Sequence, residues 1–278
     1  MKVRRLAGAA EFLEATLELR AADPVRTNVL GSVATGVLAG IRYAAESYFV
    51  AERDGTVVGA ALWTAPYRLL VGPMDDEAAR AVGVAALDRA ADLGTPLPGV
   101  VGPVGTAEHV ADGTGREWRT SMAERLLVLR DYRPPRGLSG GARHAVDADA
   151  ELVRRWRRDF AVEAGTPVHD DEGRLATALE ATWFWELGGV PVSMAAHAPI
   201  VSTPAGDVGR IGPVYTPVEH RRNGFASGVT AAVVEHLRTL VGTVMLFTDA
   251  ANPTSNHVYE DLGFVHEGDV VELRFLPL

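Results

Sequence analysis

Arg210-Ile-Gly-Pro-Val-Tyr215-Thr-Pro-Val-Glu-His-Arg221-Arg-Asn-Gly224-Phe-Ala-Ser227 is the stretch that decides how this chain folds. Its first part is an apolar run with strand character, and a helical run follows from Gly224 to about residue 240. Phe225, Val229, Ala232, Val233, Leu237 and Leu240 recur at the spacing of one inward helix face. Between strand and helix stand Arg221, Arg222 and Asn223. Gly224 follows, able to reach dihedrals closed to other residues, and Ala226 leaves the backbone open to close approach. The first amides of a helix have no intrahelical partner, so strand, basic turn and helix start together predict an anion site suited to a phosphorylated ligand. Taken alone, the string is better explained as an exposed turn with arginines for solubility. Its surroundings reverse that.

Residues 143–146 predict a short strand, and residues 149–164 a helix with Leu152, Trp156 and Phe160 on one face and Gly165 to end it. Residues 170–181 predict a second helix. A hairpin about Gly188-Gly189 joins 183–187 to 191–199, and after the basic turn come a strand (244–248), a helix (253–262) and a last strand (270–275). The first part of the chain has a similar order. It offers a helix over 9–20, a second opened by Asp23-Pro24 with Val25, Val29, Val33 and Val37 on one face, and a hairpin about Arg53-Asp54-Gly55. A short strand at 68–71, a helix from Asp75 to Gly94, and strands at 99–101 and 122–129 complete it. Residues 132–141 hold two prolines and three glycines and form the best candidate linker. We therefore expect an α/β (α+β) chain of two lobes, 1–131 and 143–278, joined by 132–142, each a mixed, mostly antiparallel sheet flanked by helices.

Composition bounds the function. Of 278 residues, 47% are hydrophobic and 23% charged, enough for a sizeable core. No apolar run approaches the roughly 18 residues of a membrane span, and the basic start Met1-Lys-Val-Arg-Arg-Leu lacks the apolar region of a signal peptide. Cysteine is absent, which excludes disulfides and thiolate metal sites and fits a reducing cytoplasm. A net charge of −9 argues against nucleic acid as the main partner and suits a cationic substrate. His220, His257 and His266 lack the close pairing of a zinc site, so no metal is expected.

Further along, Asn252-Pro-Thr-Ser-Asn-His-Val-Tyr259-Glu-Asp-Leu-Gly-Phe264 completes a pattern. Together with Val214-Tyr215-Thr216-Pro217 and the basic turn, it resembles the GCN5-related N-acetyltransferase family. That family's pyrophosphate loop, [Q/R]-x-x-G-x-[G/A], is filled by Arg221, Gly224 and Ala226, and its later Asn, Tyr and Gly-Phe by Asn252, Tyr259 and Gly263-Phe264. The resemblance is specific over 143–275 and rests on element order alone over 1–131. It implies two tandem lobes of this fold and acetyl-CoA, or another acyl-CoA, as cosubstrate. Val214 and Thr216 would offer backbone groups to the pantetheine arm. The amides of Arg222, Asn223, Gly224, Phe225, Ala226 and Ser227 would hold the pyrophosphate. Asn252 would bind the pantetheine from the far side, an amide near Tyr215 would hold the oxyanion, and Tyr259 would protonate the departing sulfur. The acceptor would be a small-molecule or peptide amine attacking the thioester directly. A non-catalytic acyl-CoA sensor is the alternative on the same fold, and a nucleotide-binding module a weaker one, lacking G-x-x-x-x-G-K-[ST].

Two readings remain. No carboxylate lies on the strand ending at Tyr215, so the base stays open among Glu163, Glu186, Asp207, Asp249 and His197. Where the first lobe's phosphate loop would fall stands Val71-Gly-Pro-Met-Asp-Asp-Glu77, whose three carboxylates suit a helix start but repel a pyrophosphate. The expectation is a first lobe without a cofactor site that helps to form the acceptor pocket.

Overall fold

Alternating and glycine-punctuated runs build most of the strands in the computed structural model, which describes residues 1–165 and 172–277. The first part comprises β1 (Lys2–Leu6), α1 (Ala9–Ala15), α2 (Leu17–Ala22), α3 (Asn28–Leu38), β2 (Ala45–Arg53), β3 (Thr56–Ala65) and β4 (Leu69–Val71). It continues with α4 (Asp76–Leu93), β5 (Gly99–Pro103), α5 (Thr106–Gly113) and β6 (Trp118–Leu129). The second part has β7 (Gly141–His144), α6 (Ala150–Glu163), α7 (Glu172–Glu180), β8 (Thr182–Leu187), β9 (Val190–His197), β10 (Val201–Thr203) and β11 (Gly206–Tyr215). It ends with α8 (Phe225–Leu237), β12 (Thr243–Asp249), α9 (Pro253–Asp261) and β13 (Phe264–Phe275).

The Asp54-Gly55 turn has positive φ at both residues, 51° and 82°, which matches the twist of a tight hairpin. Asp75 caps α4, accepting from the Ala78 amide at 3.0 Å, and Gly94 closes it at φ 59°. Four expectations need correction. The helix over 9–20 breaks at Thr16, whose hydroxyl donates to the Phe12 carbonyl at 2.6 Å and accepts from Arg20. The second helix starts at Asn28, because the Asp23 carboxylate accepts from the Arg26 amide at 3.0 Å and folds the segment into a turn. Its buried centre is Leu30 and Ala34, with Val33 and Val37 beside them. Thr203 and Gly206 close a further hairpin, β10 on β11. Of the helix over 170–181, Asp170 and Asp171 lie outside the described residues.

Among the described residues, thirteen strands join one sheet in the order β1-β2-β3-β4-β5-β13-β6-β12-β11-β9-β8-β7, with β10 paired to β11. The sheet does not break where the 132–142 linker falls in sequence. Instead β6 pairs with β12 (Val128 opposite Met245 through Glu124 opposite Asp249), and the terminal β13 lies between β6 and β5. One face of the sheet carries α4, α5, α8 and α9: Leu127, Ile211 and Leu246 pack with Val229 and Leu237 of α8, and Val271 and Leu273 pack with Val82 and Val110. Side chains alternate along a strand, so Glu124, Leu126, Val128, Arg210, Met245 and Asp249 face the other way, toward α3. Among the described residues no helix is long and apolar enough to cross a membrane.

Candidate functional site

β11 begins as the parallel neighbour of β12, and the pairing runs from Val208 opposite Thr243 to Ile211 opposite Leu246. There it stops. β11 continues to Tyr215 against β9, with a register shift between Ile211 and Val214, while β12 continues to Asp249 against β6. The two strands therefore diverge into a slot whose walls carry backbone groups with no partner strand across it. The first part of the chain keeps its equivalent strands closed. β4 and β5 also pair in parallel, and a Cβ on Gly102 would lie 2.6 Å from the Val71 carbonyl oxygen, so no slot opens there.

The slot leads to the basic turn. Arg222 and Gly224 both adopt positive φ, 66° and 77°, and Gly224 is the N-cap of α8 without any side-chain hydrogen bond to the helix. The opening amides of α8 thus have no side-chain cap among the described residues, in contrast to α4, whose start carries the carboxylates of Asp75, Asp76 and Glu77. Asn223 braces the turn by donating to the carbonyls of His220 and Arg221 at 3.2 and 3.0 Å. Arg221 is occupied: it grips Glu163 of α6 through both carboxylate oxygens, at 2.7 and 2.8 Å, and donates to the Thr216 carbonyl. Its part is to hold the turn, while Arg222 has no side-chain partner among the described residues. A cavity of about 480 Å³ adjoins the turn on the α6 side, lined by Trp156, Asp159, Tyr215, Pro217, Val218 and His220 among others.

The opposite wall is the end of β12 and α9. Asn252 caps α9 through Oδ1, which accepts from the Ser255 amide at 3.1 Å, and its Nδ2 has no partner among the described residues. Asn256, which sequence reasoning did not single out, donates weakly to the carbonyls of Asp249 and Ala250, while its buried Oδ1 has no partner. Tyr259 is 8% exposed and packs in the same cluster as Val214 and Phe264, with the Phe264 ring 6.1 Å away and edge-on. Burial pushes its phenol up to about 12, and its hydroxyl has no hydrogen bond among the described residues. Arg125 of β6 and Glu260 pair at 2.8 Å and fix α9 against the sheet.

The five carboxylate and histidine candidates do not converge. Glu163 is bound to Arg221, Glu186 to Arg143, and Asp207 lies at the β10–β11 turn. His197 sits among the rings of Trp183 and His236, its pKa lowered by burial. Asp249 alone borders the slot, and beside it stands Glu124, which the sequence reading missed. Burial, aided by Glu272 and Asp249 and opposed by Arg210, raises the Glu124 carboxyl to about 7. Arg210 is held by Asn28 Oδ1 and Ser32 Oγ of α3, both at 3.1 Å, and Glu272 by Arg68 at 2.9 Å.

Comparison with known proteins bears on the fold. Residues 195–272 match the family model described as FR47-like protein. No curated protein matches the sequence. Among solved structures, a GNAT-family acetyltransferase from Colwellia psychrerythraea aligns over 99% of this chain and 100% of its own, with TM-score 0.61 and 11% identity. A GCN5-related N-acetyltransferase from Kribbella flavida gives TM-score 0.63 at 17% identity over 91% of this chain and 96% of that one. A tandem GNAT protein from the clavulanic acid biosynthesis pathway gives 0.59 at 17% identity over 98% and 97%. The chain has the fold of the GNAT acetyltransferases, including tandem ones, along nearly its whole length.

Proposed function

We propose that the chain is an acyl-CoA-dependent N-acyltransferase, with acetyl-CoA as the first donor to test and an amine as acceptor. The observation that carries this is the slot between β11 and β12 running into the uncapped start of α8. A phosphate group fits the free amides and the positive end of the helix, and a thin extended chain fits between two diverging strands. In this reading the amides of Arg222, Asn223, Gly224, Phe225, Ala226 and Ser227 hold the pyrophosphate, with Arg222 adding charge. Val214 and the Thr216 amide line one side of the pantetheine, and Asn252 Nδ2 and Asn256 Oδ1 the other. The cosubstrate supplies the thioester. A β11 amide near Tyr215 steadies the oxyanion, and Tyr259 gives its proton to the leaving sulfur. The first part of the chain, with its closed strands and acidic helix start, binds no second cosubstrate. A reducing, cytoplasmic setting fits the absence of cysteine.

Titration calorimetry with acetyl-CoA tests the reading: one site per chain is expected, and two sites or none would refute it. Gly224→Val is expected to weaken that site roughly tenfold or more, since a branched residue at positive φ costs about 1–3 kcal/mol. Its Cβ would also meet Leu138 Cδ2 at 2.6 Å. A sensor on the same fold would bind acetyl-CoA but release no thiol with any amine.

A further inference from the structure

We infer that Glu124, a residue of the first half of the chain, accepts the proton of the attacking amine, and that the acceptor is a protonated amine entering on the sheet face toward α3. The inference rests on the acyltransfer reading above and adds to it the base and the side of attack.

The geometry has three parts. First, β12 stands between β6 and the slot, so Glu124, opposite Asp249, lies one strand from the slot at the level where β12 has parted from β11. Second, Glu124 and Tyr259 belong to opposite faces of the sheet. Leu127 and Arg125 point to α8 and α9, where Tyr259 resides, and Glu124 alternates with them toward Arg210 and α3. A thioester held in the slot would therefore meet the amine on one face and lose its sulfur on the other. Third, Glu124 is the carboxylate of its group left without a hydrogen bond among the described residues. Asp249 Oδ1 accepts from the Ala251 amide and Glu272 is paired with Arg68.

The charges facing Glu124 come from four elements: Asp249 on β12, Glu272 on β13, Arg210 on β11, and Arg68, reached through Glu272, just before β4. Three carboxylates face two guanidinium groups, so an incoming ammonium completes the balance. The bound ammonium first gives one proton to the Glu124 carboxylate, and the lone pair so freed attacks the thioester carbon to form the C–N bond. The C–S bond then breaks, the thiolate takes the Tyr259 hydroxyl proton, and the nitrogen's second proton leaves to solvent. Solvent then recharges Tyr259 and discharges Glu124. A carboxyl that changes state near neutrality is suited to this task, and its raised value agrees with a group kept half-buried beside like charges.

The test uses the full chain, acetyl-CoA, and spermidine, tyramine and lysine methyl ester as probe amines, with thiol release as the readout. The proton-accepting form is the carboxylate, so kcat/KM should rise with pH through about 7. Glu124→Gln should lower kcat roughly a hundredfold, abolish that limb and leave acetyl-CoA affinity unchanged, and Glu124→Asp should recover part of the rate. Unchanged kcat in Glu124→Gln, or a limb that survives it, overturns the assignment. Carbon-13 NMR of the glutamate carboxyls gives a readout independent of turnover: a titration near 7 that vanishes in Glu124→Gln is expected, and its absence overturns the inference. If the wild-type chain releases no thiol with any probe, the acyltransfer reading fails instead, and the carboxyl titration still decides the state of Glu124.

Discussion

Replacing Gly263 by valine is expected to destabilise the chain by about 4 kcal/mol, at the upper end of single substitutions. Gly263 lies at φ 96° in the turn between α9 and β13, a region a β-branched residue hardly enters. Its position is also closed sterically, since a Cβ there would lie 1.7 Å from the Asp131 carbonyl oxygen and 2.5 Å from its carbon. Neither atom belongs to a side chain that could swing away. The approach is close because this turn is zipped to the exit of β6. The Gly263 carbonyl accepts from the amides of Arg130 and Asp131 at 3.0 and 3.3 Å, and the Leu262 carbonyl accepts from Arg133. Opening it would displace Leu262 and Phe264, 1% and 2% exposed, and with Phe264 the start of the strand that joins the two parts of the sheet. Gly188→Ala is the control. Gly188 also has positive φ, 59°, but a Cβ there meets nothing within 4 Å, so only about 1 kcal/mol of backbone strain is expected. Urea midpoints for the two variants decide the matter, and equal shifts would show that the contact with Asp131 contributes nothing.

The Gly-Phe pair thus has a structural task, and that bears on what the sequence could tell. Punctuation by Gly, Asp and Asn placed the hairpins at 54–55 and 188–189 and the start and stop of α4, because those signals are local and have few solutions. The elements that carry the proposed site, from Val214 to Ser227 with Asn252 and Tyr259, were legible for the same reason, as each residue sits at a helix start, a strand end or on one helix face. The helix over 9–20 was misread because nothing in its pattern announces that Thr16 would bond back to Phe12 and end the turn. Glu124 was missed for a different cause. Along 124–128 a carboxylate alternates with Leu126 and Val128, which marks it as facing the same side. What it meets there depends on β6 crossing to β12, a pairing of residues more than a hundred positions apart. Which distant strand β6 takes as its partner is not marked in its own sequence. A carboxylate on an otherwise apolar strand face was the only signal available.

Tyr259→Phe is expected to lower kcat and kcat/KM together by 10²- to 10³-fold, about 3–4 kcal/mol of transition-state stabilisation, with acetyl-CoA affinity unchanged. The phenyl ring keeps the packing against Leu262 and Phe264, so stability should move little. What is removed is a hydroxyl with no hydrogen bond among the described residues, so nothing in the resting chain loses a partner. Burial holds that hydroxyl's pKa up to about 12. The donor form therefore persists through neutral and moderately alkaline pH, and no alkaline fall in rate is expected from this group below about 12. The rising limb near 7, which belongs to Glu124, should survive in Tyr259→Phe, whereas Glu124→Gln should remove it and keep the acid. A donor whose thiol is more acidic than that of CoA supplies the sharper check. A thiolate of low basicity leaves without help, so such a thioester should restore most of the lost rate in Tyr259→Phe and little in Glu124→Gln. Equal rescue of both would mean that Tyr259 acts on the position of the bound thioester. A Tyr259→Phe chain as active as the wild type with acetyl-CoA would remove the acid role altogether, and leave the slot as a binding site whose leaving sulfur is protonated by water.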